Sequence, residues 1–72
     1  MTLQKLERIL KGLKKETKRL YNELSERTDG RYKLGVNGLG VVVLADMISM
    51  ENLAHGEKEC QTAMKSLLGG AN

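Results

Sequence analysis

The sequence predicts an α+β fold in which two helices flank a β-hairpin, an αββα arrangement that we expect to be completed by homo-oligomerisation. Two observations predict this class. Leucines recur at heptad spacing through the first third of the chain, which indicates a long amphipathic helix. Asn37-Gly38 then lies between two apolar runs, the strongest short-range signal for a hairpin. A chain of 72 residues corresponds to one domain, which we assign to residues 1–68, with residues 69–72 as a flexible tail.

The first helix is predicted to begin after Thr2, a favourable N-cap, and to end near Thr28-Asp29-Gly30. The a and d positions of its heptads form a seam that favours packing against another helix. These seam residues are Leu3, Leu6, Leu10, Leu13, Thr17, Leu20 and Leu24. The opposite face is basic and carries Lys5, Arg8, Lys11, Lys15, Lys18 and Arg19. Such a stripe is either a solvated helix face or a phosphate-binding surface.

A two-residue loop at Asn37-Gly38 places Val36 opposite Leu39 and Leu34 opposite Val41, and the side chains then alternate between two faces. One face is wholly apolar and must be covered by helices; it carries Tyr32, Leu34, Val36, Leu39, Val41 and Val43. The other face is half apolar and carries Arg31, Lys33, Gly35, Gly40, Val42 and Leu44. This second face is expected to meet another chain or a small anionic ligand.

The second helix is predicted to begin at Asp46 or Ser49 and to end at Gly69-Gly70. Its a and d positions are Met50, Leu53, Glu57, Cys60, Met64 and Leu67. His55-Gly56 resembles a helix end, so two shorter helices are the alternative to one continuous helix. Glu57 is either a buried acid with a shifted pKa or, as we favour, a carboxylate at the edge of the seam.

A chain this short, without Phe or Trp, builds a thin core, and oligomerisation is the remedy that its composition leaves open. The predicted oligomer interface consists of Leu6, Leu10, Leu13, Leu20, Val42 and Leu44. Two copies could join their ribbons edge to edge, or pair their first helices.

Several functional classes lack their residues here. One Cys and one His cannot build a zinc site, and the five-residue spacing of His55 and Cys60 does not favour a nucleophile pair. We therefore expect no catalytic residues, no metal, no cofactor and no enzymatic activity. No apolar run approaches the roughly 18 residues that span a bilayer, so no membrane association is expected. A single thiol and a start unlike a signal peptide indicate the cytoplasm.

The charge is concentrated in the front of the chain. Residues 1–33 hold ten Lys/Arg and five Asp/Glu, a net charge of +5, whereas the remainder carries −2. An anionic partner is therefore expected to meet the front half. The predicted ligand-binding residues are Lys11, Lys15, Lys18, Arg19, Arg31, Tyr32 and Lys33.

These residues predict a small homo-oligomeric binding protein that engages nucleic acid or a nucleotide. The alternative is an adaptor or inhibitor that binds another protein through its leucine seam or a hairpin edge. In size and style the chain resembles small regulatory proteins of bacteriophages and mobile elements, and that resemblance assigns no residue roles.

Overall fold

The computed structural model describes residues 2–69 and confirms the α+β class. In chain order the elements are α1 (Leu3–Lys11), α2 (Lys15–Thr28), β1 (Tyr32–Val36), β2 (Val42–Asp46), β3 (Glu51–His55) and α3 (Glu57–Gly69). The order departs from αββα in two places: the first helix is divided, and a third strand replaces the start of the second helix. Of the predicted tail, Gly69 belongs to α3, and residues 70–72 lie outside the described residues.

The first predicted helix is two helices because the chain breaks at Gly12. Thr2 caps α1 as predicted, since its Oγ1 accepts the Lys5 N–H at 3.2 Å. The Gly12 N–H bonds to the Arg8 carbonyl at 3.0 Å, and α1 ends there. Because Gly is about 1 kcal/mol less favourable than Ala inside a helix, Gly12 is a position in the predicted helix where a break costs little.

The end of α2 follows the prediction, and the start of α3 follows the two-helix alternative. Asp29 and Gly30 both adopt positive φ, 53° and 77°, and the Gly30 N–H bonds to the Ser25 carbonyl at 2.9 Å. Gly56 has φ of 89°, and α3 begins at the next residue, Glu57. The glycine therefore separates α3 from a strand rather than from another helix.

The β1–β2 hairpin has a longer loop than predicted. The two strands pair antiparallel with Val36 opposite Val42 and Leu34 opposite Leu44, so residues 37–41 form the loop. The prediction of a two-residue loop is therefore wrong, and the register of the two strands differs from the predicted one by three residues. Because an odd shift exchanges the two faces of a strand, Val42 and Leu44 move from the predicted outer face into the core.

The Asn37 side chain explains the longer loop. Its Oδ1 accepts two backbone bonds, from the Leu39 N–H at 2.9 Å and the Val41 N–H at 3.1 Å. Gly40 takes φ of 82° within the same loop. As a consequence Leu39, predicted to lie on the covered face, is 88% exposed at the tip.

The chain continues into a third strand because the residues after β2 form a tight turn instead of a helix. Asp46 was predicted as a helix cap, but its carboxylate accepts the N–H groups of Ile48 at 2.9 Å and Ser49 at 3.3 Å. The Met50 N–H closes the turn on the Asp46 carbonyl at 2.7 Å. β3 then pairs antiparallel with β2, with an irregularity between Leu44 and Ala45, and completes a sheet in the order β1-β2-β3.

The core lies where α2 and α3 pack against the sheet. Its buried members are Leu20, Leu24, Tyr32, Val42, Leu44, Ala54, Cys60 and Met64. The leucine seam of α2 therefore packs within its own chain. The predicted oligomer interface needs the same correction: Leu20, Val42 and Leu44 are core residues of a single chain, with exposures of 7% or less.

Candidate functional site

The most strongly charged part of the molecule is the stretch of α1, its connection and the start of α2. We call it the basic helical surface, and it consists of Lys5, Arg8, Lys11, Lys14, Lys15, Lys18 and Arg19. Every one of these seven side chains belongs to an exposed residue. The only acidic residues in the same stretch are Glu7 and Glu16, so its net charge is +5. The basic stripe predicted from the sequence is thus solvent-facing throughout.

Helix α2 separates its buried and exposed residues onto opposite sides. Thr17, Leu20 and Leu24 are buried against the core. At 3.6 residues per turn each residue advances by about 100°, which places Lys15, Arg19 and the residues around them on the side directly away from the core. That outward face comprises Lys15, Lys18, Arg19, Asn22 and Glu26, all exposed. The outward face of α2 is therefore polar, mostly basic and open to a partner.

The junction between α1 and α2 brings cations from both helices together. Gly12, Leu13 and Lys14 connect the helices, and the Lys18 Nζ donates to the Lys11 carbonyl at 3.0 Å. This bond places an ammonium group at the C-terminus of α1, where the helix dipole favours positive charge. The same bond holds Lys18 beside Lys11, so these two predicted ligand-binding residues are neighbours.

A partly buried polar network anchors the start of α2. The Glu57 carboxylate, from the first residue of α3, accepts the Lys14 N–H at 2.7 Å and the Thr17 hydroxyl at 2.6 Å. The Thr17 Oγ1 in turn accepts from the Gln61 side-chain amide at 2.6 Å. The Thr17 hydroxyl and the Lys14 N–H lower the pKa of Glu57, although its partial burial acts in the opposite direction.

This network fixes α2 relative to α3 at the end where the cations lie. Lys14 has no side-chain capping bond of its own, so a carboxylate from another helix supplies the cap that α2 lacks. Sequence analysis predicts Glu57 as a carboxylate at the edge of one seam and Thr17 as a member of another. No sequence pattern indicates that the two meet, because they are 40 residues apart.

Two carboxylates near the outward face of α2, Glu16 and Glu23, form salt bridges. Glu16 meets the Lys65 ammonium at 3.2 Å, and Glu23 meets Arg27 at 2.8 Å and Arg19 at 3.9 Å. These pairs are solvent-exposed, and such pairs are each worth about 0–1 kcal/mol. They leave the net charge of the basic helical surface positive.

The structure does not join the β1 residues of the predicted ligand site to the helical ones. Arg31, Tyr32 and Lys33 follow the far end of α2, whose 14 residues span about 21 Å. Tyr32 is buried in the core, whereas Lys33, the next residue along the strand, is exposed. The seven predicted ligand-binding residues therefore do not form one site.

Arg31 is occupied by an internal ion pair. Its Nη2 lies 2.9 Å from Asp46 Oδ2, and its Nε contacts both carboxylate oxygens at 3.2 Å. The guanidinium holds the pKa of the buried Asp46 carboxyl at about 2, below its usual 3.8, and the Ile48 and Ser49 N–H groups act in the same direction. This pair fixes the β2–β3 turn to the start of β1, which gives Arg31 a structural contact.

Three of the predicted interface leucines, two in α1 and one in the connection that follows it, are partly exposed to solvent. Leu6, Leu10 and Leu13 are half-buried. A shallow groove of about 290 Å³ lies beside them, lined by Leu10, Leu13, Lys18, Tyr21, Asn22 and Leu34. This groove borders the outward face of α2.

A second exposed feature is the β2–β3 turn, which carries apolar side chains to solvent. Ile48 is 73% exposed and Met50 is 75% exposed, with Met47 beside them. Met50 also has φ of 63°, a conformation that residues with a side chain seldom adopt. Backbone N–H groups of the turn donate to Asp46 and hold the turn in place, so the apolar side chains project from a fixed loop.

The remaining chemical groups are separated from one another. Cys60 is buried, and that burial raises the pKa of its thiol, whereas His55 is exposed. Within residues 2–69, no three His, Cys, Asp or Glu side chains are placed to hold a metal ion. Over the same residues, no helix has the length and apolar character to cross a membrane.

Comparisons of the chain with protein-family models, with curated proteins and with solved structures each found no match.

Proposed function

We propose that this protein is a small, non-enzymatic binding protein that works as a homo-oligomer and engages nucleic acid or a nucleotide through its basic helical surface. The observation that carries the proposal is the exposure of all seven cations of that surface, with two carboxylates among them. Cations that neutralise phosphates release condensed counterions, which makes such a surface a favourable binder of polyanions.

Exposed apolar side chains support self-association. Leu3, Leu39, Ile48 and Met50 are each at least 71% exposed on a chain whose core is small. Contact between copies would remove such side chains from water. We place the working protein in the cytoplasm, where a single unpaired thiol is stable. Native mass spectrometry of protein purified without added ligand gives the subunit count, and a lone subunit would contradict the oligomer.

The binding test compares two triple variants that change net charge equally. Lys15→Glu/Lys18→Glu/Arg19→Glu reverses the outward face of α2. The control, Lys33→Glu/Lys58→Glu/Lys65→Glu, reverses three exposed lysines elsewhere. Fluorescence anisotropy then measures the affinity of wild type and both variants for labelled oligonucleotides over a salt series.

For duplex DNA, log Kobs falls with log salt by about 0.9 per phosphate contacted, so the α2 variant should lose up to about 2.7 from the slope. The control variant should keep a slope near that of wild type. Equal losses in both variants would indicate that binding depends on the net charge of the protein and not on a particular site. Binding that does not depend on salt would contradict the proposal. A compact nucleotide would instead raise the melting temperature by mass action.

A second candidate function, a protein-interaction adaptor or inhibitor, is favoured by the exposed β2–β3 turn. A fixed turn with three apolar side chains is suited to a pocket on another protein. Under this function, Ile48→Ser/Met50→Ser abolishes binding to the protein partner, and the charge reversal on α2 leaves that binding intact. The opposite pattern would exclude it. Under either function we propose a regulatory role, like that of the small phage and mobile-element proteins that the chain resembles in size.

A further inference from the structure

We propose, resting on the function above, that the phosphate-bearing ligand is duplex DNA and that α2 enters its major groove. The outward face of α2 is the convex outer side of a helix, because it lies directly opposite the buried Thr17, Leu20 and Leu24. A helix with its side chains is about 10–12 Å across, and the major groove of B-form DNA is about 12 Å wide. The shape and the charge of this surface are therefore complementary to that groove.

The fold supports α2 as a rigid inserted element. Its inner side is packed into the core, and its first turn is bonded to Glu57 of α3. A helix held at its start and along its inner face can be pressed against a groove without bending. The supports for α2 all lie away from its outward face, so they remain in place in the complex.

Helix α1 is placed to meet the DNA backbone beside the groove. Arg8 and Lys11 lie in its last turn, and the Lys18 bond to the Lys11 carbonyl ties that end of α1 to α2. Two helices joined by a short Gly-containing turn are a common arrangement in DNA-binding proteins.

Single-stranded nucleic acid is a poorer fit because neither ring of the chain is fully exposed for base stacking: Tyr32 is buried, and Tyr21 is half-buried in the groove beside α2. The chain has two tyrosines and no Phe or Trp. Tyr32 is buried beneath the Arg31 guanidinium, 5.3 Å from the ring centroid, and Tyr21 packs against the core. Stacking contributes about 1–3 kcal/mol per base in single-strand binders. Duplex RNA is also disfavoured, because its major groove is too narrow for side chains to read.

Arg19 and Asn22 are the residues of α2 best placed to contact base edges. Both lie on the outward face in the first two-thirds of the helix, and both are exposed. Arg pairs with guanine O6 and N7, and Asn pairs with adenine N6 and N7. The 3.9 Å contact of Arg19 with Glu23 is dispensable, because Glu23 keeps Arg27 at 2.8 Å.

The first experiment measures affinity for three ligands of one mixed sequence: a DNA duplex of two helical turns, the corresponding RNA duplex and the single DNA strand. We expect the DNA duplex to bind at least tenfold more tightly than either other ligand. Equal or tighter binding of the single strand or the RNA duplex would overturn this inference while leaving the proposed function. No binding to any of the three would overturn this inference and, with it, nucleic acid as the ligand in the proposed function.

The second experiment blocks the groove without changing the phosphates. Cytosines carrying a glucosylated hydroxymethyl group at C5 fill the major groove, since that position projects into it. We expect at least a tenfold loss of affinity for this duplex and no loss when the minor groove is occupied by netropsin. Unchanged affinity for the glucosylated duplex, or displacement by netropsin, would overturn the assignment to the major groove.

A pair of isosteric variants tests the role of α2 in the same assay. Asn22→Asp adds one negative charge at the centre of the outward face, and Asn52→Asp adds the same charge to the exposed strand β3. We expect at least a tenfold loss of duplex affinity for the first and less than a twofold loss for the second. Equal effects of the two changes would overturn the inference.

Discussion

Replacing the buried Thr17 by Val tests the network that anchors α2. The two side chains are nearly isosteric, so the change removes the hydroxyl and leaves the packing volume. The wild-type hydroxyl donates to the Glu57 carboxylate and accepts from Gln61, both at 2.6 Å. A hydrogen bond to a charged group contributes about 1.5–3 kcal/mol, and a neutral one about 0.5–1.5 kcal/mol.

Because Glu57 keeps its bond to the Lys14 N–H and Gln61 is only half-buried, water replaces part of the loss. We therefore expect Thr17→Val to lower the free energy of unfolding by about 2–3 kcal/mol. For a domain of this size that corresponds to a fall in melting temperature of about 8–24 °C. Circular dichroism followed through thermal and urea unfolding measures both quantities.

The matched control is Thr62→Val on the exposed side of α3. Its hydroxyl bonds only to the Lys58 carbonyl one turn earlier, at 3.1 Å. Its loss should change stability by less than about 0.5 kcal/mol. If Thr17→Val were as stable as wild type, or if the two variants were equal, the hydroxyl would not join α2 to α3 and the rigid support of α2 would be refuted.

Three further predictions test other parts of the structure. Asp46 has a folded pKa of about 2 against 3.8 when unfolded, so its stabilisation is complete above that unfolded value and is lost as the pH falls toward 2. Melting temperatures should therefore drop over that window for wild type and more weakly for Asp46→Asn, and equal pH profiles would refute the Arg31 ion pair. Leu44→Ala should lose about 2–5 kcal/mol of stability in urea unfolding and Leu39→Ala less than about 0.5, since the first is fully buried and the second is 88% exposed; the reverse order would restore the two-residue hairpin loop. The Cys60 thiol, buried and with a raised pKa, should resist alkylation by iodoacetamide until urea unfolds the chain, and rapid labelling of the native protein would contradict its burial.

The sequence predicted the features that depend on local chemistry. The Thr2 cap and the end of α2 at Asp29-Gly30 follow from the backbone preferences of those residues, whereas the break at Gly56 was only the alternative to one continuous second helix. The basic stripe was also predicted, because helical periodicity alone assigns residues to faces. These signals act within a few residues, so they hold whatever the remainder of the chain does.

Features that depend on distant contacts could not be predicted. The loop at Asn37 is longer because its side chain bonds to the Leu39 and Val41 N–H groups, a competitor to the Asn-Gly turn that only the folded loop reveals. The sequence predicts Asp46 as a helix cap. In both a helix cap and this turn, the carboxylate accepts N–H groups from two and three residues later, so local chemistry does not distinguish them. Pairing of β3 with β2 decided between the two outcomes.

The candidate site was predicted in part for the same reason. Its helical cations share one periodic face, so they could be found from spacing. Arg31 and Tyr32 were assigned to it by charge and ring type, but Asp46 occupies Arg31 and the core buries Tyr32. The partner that makes Arg31 unavailable lies 15 residues away along the chain, and no local sequence pattern reveals such a contact.

The most direct test of the DNA-binding surface is a two-dimensional NMR titration of ¹⁵N-labelled protein with a short DNA duplex. We predict that the largest amide shift changes fall on Lys15, Lys18, Arg19 and Asn22, with smaller changes in the last turn of α1. Changes centred on the β2–β3 turn at Ile48 and Met50, with α2 unaffected, would contradict the assignment of the basic helical surface as the binding site.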